Sequence, residues 1–134
     1  MKDSLKPGLR HTMTYVVPAN RTVPYLLPES EHFATMPEVL ATGYMVGIIE
    51  WTCMEAIRAH LDEGEISLGA HVDLSHRAPT PVGMTVTIEV ELIEVDQRAL
   101  TFEVEARDEK TVISTGLHRR GVVNKERFVE RLNG

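Results

Sequence analysis

One stretch constrains this chain more than any other. Residues Ala41 to Leu61 read as a continuous helix with apolar side chains on nearly every side: Met45, Val46, Ile48, Ile49, Trp51, Cys53, Met54 and Ile57. A helix apolar all round belongs inside a protein. One residue breaks the pattern. Glu50 stands among Ile48, Ile49, Trp51 and Cys53, where an ionised carboxylate loses water and must find a partner. The rest of the chain therefore has to wrap this helix and satisfy Glu50.

The wrapping material is legible as strands. Ile66, Leu68, Ala70, Val72 and Leu74 recur at every second position, as do Met84 to Leu92 and then Leu100, Phe102, Val104 and Ala106. A period of two predicts strands with one apolar face. The phase slips at Ile93, which predicts a β-bulge near 92–93. Val112 to Val123 reads as a weaker strand interrupted by Gly116, and Asn124 can cap a last helix. Before the central helix, Met13, Tyr15 and Val17 suit a first strand ended by Pro18. Residues 18–29, with three prolines, read as a loop, and Ser30 as the cap of a short helix over Glu31–Thr35. The central helix starts at Pro37 or at Gly43 and ends near Leu61.

One strand, one buried helix and four strands joined by short turns make an α+β arrangement of the hotdog type, a curved antiparallel sheet wrapped around one long helix. The 134 residues suit a single domain spanning 1–134. Such a sheet leaves edges and one helix flank open, so a homodimer is expected. Lys and Arg number 14 against 20 Asp and Glu, a net charge of −6, which argues against nucleic acid as a partner. No run reaches the roughly 18 apolar residues of a membrane span. The first residues carry no apolar core of signal-peptide length, so the expected location is cytoplasmic. Cys53 is the single cysteine. It can form no internal disulfide, and nothing near it in sequence would lower its pKa.

Three polar residues fall where periodicity says the chain is internal. They are Glu50, His76, which shares the even-numbered phase of Ile66 to Leu74, and Thr42 near the helix start. His71 has the opposite parity and should point away. A carboxylate, an imidazole and a hydroxyl can run acid–base or nucleophilic chemistry on an acyl group. Eight residues separate Thr42 from Glu50, about 12 Å of rise and roughly 80° of rotation in a helix, so the two can touch different parts of one ligand but not each other. Plainer readings stand beside these. Glu50 can pair with an arginine, His76 can be a satisfied core residue, and Thr42 can be only an N-cap. Arg119-Arg120 can be a solvated strand end, or Arg120 can meet a substrate phosphate. His71-x-Asp73-x-x-His76 invites a metal, but parity sets His76 apart from the other two, so no metal is expected.

The segment Pro37-Glu38-Val39-Leu40-Ala41-Thr42-Gly43-Tyr44-Met45-Val46-Gly47-Ile48-Ile49-Glu50-Trp51 resembles the fluoroacetyl-CoA thioesterase family of the hotdog superfamily. So do Pro28-Glu29-Ser30, Gly64-Glu65-x-Ser67-Leu68-Gly69, His76 and Ala78-x-Thr80-Pro81. The resemblance implies a homodimer that hydrolyses a CoA thioester without a metal or redox cofactor. It places catalysis on Thr42, Glu50 and His76, and it gives the backbone N–H of Gly69 the carbonyl oxygen of the substrate. It also implies a two-ring lid over the acyl group; this chain keeps Phe33 but has Met36 at the second lid position. Methionine is flexible, a poorer shaping element than a ring. Two other readings remain: a hotdog hydratase or dehydratase on acyl-CoA, against which no Asp-x-Asn-x-x-x-x-His pattern is found, and a non-catalytic acyl-CoA-binding module.

Overall fold

The computed structural model describes residues 1–134. Strand β1 (Arg10–Val16) is followed by two short helices, α1 (Val23–Leu26) and α2 (Glu31–Ala34), and then by the long helix α3 (Thr42–Ile57). Strands β2 (Glu65–Leu74), β3 (Thr85–Asp96), β4 (Ala99–Arg107) and β5 (Val112–Asn124) come next, and helix α4 (Lys125–Asn133) closes the chain. The five strands form one antiparallel sheet in the order β1-β3-β4-β5-β2. Helix α3 lies against it, burying Met45, Ile48, Ile49, Cys53, Ala56 and Ile57 in one cluster with Val86, Ile88, Val90 and Leu92 of β3 and Leu100, Phe102, Val104 and Ala106 of β4. This is the hotdog arrangement. No helix is long and apolar enough to cross a membrane.

Local chemistry explains most boundaries. Ser30 Oγ accepts from Phe33 N at the start of α2, and Asn124 Oδ1 accepts from Arg127 N at the start of α4. The bulge expected in β3 falls between Leu92 and Glu94. Three expectations need correction. The loop over 18–29 holds a 3-10 turn (Ala19–Arg21) and α1, whose second residue is Pro24; proline in a first helical turn forfeits no hydrogen bond. Pro37 starts no helix, because Val39 and Leu40 instead form bridges with Pro81 and Thr22.

The third correction is the largest. α3 is not buried on all sides: Gly47, Trp51, Met54 and Arg58 are exposed along one stripe, Trp51 and Met54 by 48% and 46%. That stripe runs beside the sheet edge formed by β2, where an apolar groove of about 430 Å³ is lined by Trp51, Met54, Ile57, Leu61 and Ile66.

β2 also departs from its simple alternation. Its register against β5 shifts between Gly69 and His71. Before that bulge the buried residue is Ser67, opposite Val122, and Gly69 lies opposite the buried Arg120. Ile66 and Leu68 therefore take the other face. After the bulge, Val72 lies opposite the buried His118 and Leu74 opposite Gly116. Gly116 is not an interruption but a mid-strand residue with φ +147°, and a Cβ there would run into the backbone carbonyl of Asp73.

Candidate active site

Thr42 is the first residue of α3, and the N-cap position belongs to Ala41. The Thr42 hydroxyl is therefore not a cap. It lies 2.7 Å from Nδ1 of His76. His76 follows β2 on a segment kept in pairing with β5 by Ser75 N to Thr115 O and Arg77 N to Ile113 O. The inward phase holds from Val72 to His76, so the ring reaches the helix, while His71 is exposed. Burial lowers the His76 pKa below its ordinary 6.5 and keeps the ring neutral. Its Nε2 is buried and has no hydrogen-bond partner in the protein. In the tautomer whose Nδ1–H donates to Thr42, that Nε2 is a base presenting its lone pair; in the other, Thr42 donates to Nδ1 and Nε2–H is a donor. A cavity of about 220 Å³ opens beside the pair, lined by Val23, Val39, Leu40, Ala78 and Pro79.

The segment over this cavity is fastened to the start of α3. Leu26 packs on Gly43, where a Cβ would approach its Cδ2 to 3.0 Å. The Tyr44 hydroxyl donates to Tyr25 O at 3.2 Å, and the Arg21 guanidinium lies 5.1 Å from the Tyr44 ring centroid. Phe33 on α2 is half-buried, and Met36, just beyond it, is 50% exposed.

Two turns further along α3, Glu50 points at the bulged strand. Its Oε2 accepts from Arg120 Nη1 at 2.8 Å, and a Cβ on Gly69 would come within 2.6 Å of the same oxygen. Only glycine lets the β2 backbone come this close to the carboxylate. The Glu50 side chain is 36% exposed and Arg120 only 3%, so the carboxylate is clamped on one side and open on the other.

The expectation of a solvated Arg119-Arg120 strand end holds for Arg119 alone. Arg120 is buried, and its guanidinium is engaged internally rather than offered to a phosphate. Nε and Nη2 donate to Ser67 Oγ and Ser67 O, each at 2.8 Å. Nη1 also lies 3.2 Å from Nε2 of His118, whose Nδ1 bonds His71 O at 2.8 Å. Ser67 and His118 were not foreseen as part of the site. The available signal was a serine and a histidine at the inward positions of a bulged β2 and of β5, and it becomes readable only once the bulge is known.

Other candidates recede. Burial pushes the Cys53 thiol up to about 12, with opposing effects from Arg120 and Glu50, so it is no thiolate nucleophile. His71 and His76 lie on opposite faces of their strand, and no group of three His, Cys, Asp or Glu side chains is arranged to hold a metal. The larger concavity, about 630 Å³, lies on the outer sheet face among Glu89, Glu91, Glu103 and Glu105, where a phosphate-bearing ligand would be repelled.

Comparison with known proteins decides the family. A family model described as fluoroacetyl-CoA-specific thioesterase matches residues 26–126. A fluoroacetyl-CoA thioesterase from Streptantibioticus cattleyicolor is 46% identical over 128 residues, covering 96% of this chain and 92% of that protein. The chain belongs to the fluoroacetyl-CoA-specific thioesterase family. A solved structure of a fluoroacetyl-CoA thioesterase superposes with a TM-score of 0.95 at 44% identity, covering 98% of this chain and 97% of the other. A complex of a variant of such an enzyme with fluoroacetate and CoA gives 0.90 at 45% identity, covering 92% and 99%. A Thermus thermophilus protein of the thioesterase superfamily gives 0.82 at 26% identity, covering 95% and 92%. Membership makes the chain a thioester hydrolase on the hotdog fold.

Proposed function

We propose that this family member hydrolyses short-chain acyl-CoA thioesters with Thr42, Glu50 and His76. One observation carries the assignment: the Thr42–His76 pair, with a free Nε2, sits beside an apolar cavity on the same helix that aims the clamped Glu50 at the Gly69 backbone. Glu50 supplies the attack, as nucleophile or as the base for water. The oxygen adds to the thioester carbonyl, the Gly69 N–H steadies the developing oxyanion, and the C–S bond breaks. With Glu50 as nucleophile the acyl group is left on the carboxylate as an anhydride. His76, neutral by burial, then takes a proton from the water that cleaves it and passes that proton to the thiolate. With Glu50 as base the carboxylate itself takes the water's proton and delivers it to the thiolate, and His76 orients that water. Thr42 fixes the ring. Arg120 positions Glu50 instead of binding a substrate phosphate, while Phe33 and Met36 close over the acyl group.

A thiol-release assay with acetyl-, fluoroacetyl- and propionyl-CoA tests this reading. Turnover abolished by Glu50→Gln supports it. CoA thioester binding without release would establish the binding-module reading instead.

The working unit is a homodimer with its sites near the interface. The exposed Trp51 and Met54 stripe adjoins the start of the unpaired β2 edge at Ile66 and Ser67, and Val72 further along that edge is 49% exposed. A second copy covers both at once. Light scattering at micromolar concentration should give about twice the 15.0 kDa chain mass; a clean monomer with full activity would contradict it.

A further inference from the structure

The linkage behind Glu50 contains an imidazole that the reaction does not consume. His118 is fully buried, and its Nδ1 lies 2.8 Å from His71 O. A carbonyl oxygen only accepts, so Nδ1 carries the proton and the neutral ring has its lone pair on Nε2. That lone pair faces Arg120 Nη1 at 3.2 Å, and the same Nη1 donates to Glu50 Oε2 at 2.8 Å. Arg120 has no acceptor capacity, so the polarity of the chain is fixed throughout. His71 is also the residue just past the bulge that follows Gly69. One buried ring thus ties the backbone that presents Gly69 to the guanidinium that holds Glu50.

We infer that His118 is a positioning residue for thioester hydrolysis: its neutral form locks Arg120, Glu50 and the Gly69 bulge in register, and its protonation releases them. The inference rests on the proposed catalytic role of Glu50. A proton on Nε2 would set N–H against N–H and place a second cation beside the guanidinium, with no water to screen them. The groups facing the ring agree with a neutral resting form. Burial is the largest influence and disfavours the cation; the His71 carbonyl favours it, Arg120 opposes it, Glu50 favours it, and the His71 imidazole, pointing away, opposes it weakly. Cys53 of α3, which shares the surroundings of Arg120 and Glu50, is an un-ionised thiol. On β4 the residue paired with His118 is the buried, uncharged Phe102.

The test compares His118→Leu, His118→Gln and Glu50→Gln on acetyl-CoA from about pH 5 to about pH 9. Loss of the acceptor in His118→Leu should lower kcat at least about tenfold with KM within about twofold. His118→Gln, whose amide oxygen accepts but does not titrate, should recover most of that loss and show an acid limb with one ionisation fewer than wild type. A folded His118→Leu with wild-type kcat and pH profile overturns the inference, as does an unchanged acid limb in His118→Gln. Where His118→Leu fails to fold, the glutamine profile decides together with ring ¹⁵N NMR of the wild type. The expected neutral form is Nδ1–H, and the opposite tautomer overturns the inference. An active Glu50→Gln overturns the catalytic assignment itself. An inactive Glu50→Gln alongside wild-type behaviour of both His118 variants overturns only the positioning role.

Discussion

The two candidate catalytic positions on α3, Thr42 at its start and Glu50 at its middle, are held very differently. At its start, Thr42 is exposed and bonded to His76 through one contact, and the far nitrogen of that ring has no protein partner. Two turns on, Glu50 is held by a guanidinium that makes four polar contacts of its own, to Ser67 twice, to His118 and to Glu50. The first arrangement can adjust by a side-chain rotation. The second can move only if a buried cation loses its partners, which costs several kcal/mol. The fold thus separates a rigid corner around Glu50 from a softer one around Thr42 and His76, and the proposed function assigns the bond-making to the first and the fitting of the acyl group to the second.

The sharpest way to break this contrast is in the rigid corner. Glu50→Gln keeps the shape and removes the charge, so thioesterase activity should fall at least about 10²-fold. Arg120→Leu should lose comparable activity and also stability. Because the abandoned Glu50 is partly exposed and can take water, the loss belongs at the low end of the roughly 3–5 kcal/mol seen when one partner of a buried pair is removed. Urea unfolding checks the second part. An Arg120→Leu protein as stable and active as wild type would show that the corner is not rigid.

At the soft end the expected losses are chemical rather than structural. His76→Ala should lower activity on the order of 10²-fold with little change in the urea midpoint, whereas His71→Ala, on the outer face, should stay near wild type in both. A damaging His71→Ala with a tolerated His76→Ala would mean that the strand register after Gly69 is off by one residue.

The same contrast explains what the sequence alone could tell. The wrapped helix and the five strands were readable because they rest on periodicity, and the β3 bulge because Ile93 breaks it visibly. Thr42, Glu50 and His76 stood out as polar residues in apolar surroundings. The β2 bulge was hidden, because Ala70 and Val72 are both apolar and the alternation looks continuous across it. The inward assignment of His76 was therefore right, although Ile66 and Leu68, used to set the phase, face the other way. Arg120 looked solvated because nothing near it in sequence names a partner; Glu50 and Ser67 are 70 and 53 residues away. An open helix flank was expected, but which residues form it was not readable, since Trp51 and Met54 are as apolar as the core residues beside them.

Acid should also separate the two ends. His76 and His118 both have pKa values lowered by burial from the ordinary 6.5. Between the lowered values and about 6.5 the unfolded chain binds protons that the folded chain refuses. Stability is therefore complete above about pH 6.5 and declines as pH falls through that range, by at most about 1.4 kcal/mol per pH unit for each ring, with no further loss once pH is below the lowered values. Asp108 does not confuse this window. Burial raises its pKa, but the N–H groups of Lys110 and Thr111 and the Thr80 hydroxyl outweigh that and set it below the ordinary 3.8, so its contribution is lost only at lower pH. Urea titrations between about pH 5 and about pH 7 should show the slope, and His118→Gln should remove part of it. A slope unchanged in both His118→Gln and His76→Ala would mean that neither ring resists protonation.

The smallest expected effect concerns acyl selectivity at the soft end. Acetyl and fluoroacetyl groups differ by one atom, and even a whole methylene gives a pocket only about 1–3 kcal/mol to work with. Strong discrimination needs a shaped wall beside the α-carbon, and Met36, half exposed next to Phe33, has three rotatable bonds where a ring has two. Several short acyl-CoAs should therefore be hydrolysed. Fluorine also activates the carbonyl without any help from the protein, so the informative quantity is the fluoroacetyl-to-acetyl ratio of kcat/KM, divided by the ratio for hydrolysis in buffer. Met36→Phe should raise that corrected ratio by a few fold, within the roughly 10-fold that about 1.4 kcal/mol supplies, while leaving the Glu50→Gln and Arg120→Leu losses as they were. A ratio already large in the wild type and indifferent to Met36→Phe would move selectivity out of the lid and into the Glu50 corner, and the division of labour along α3 would then be wrong.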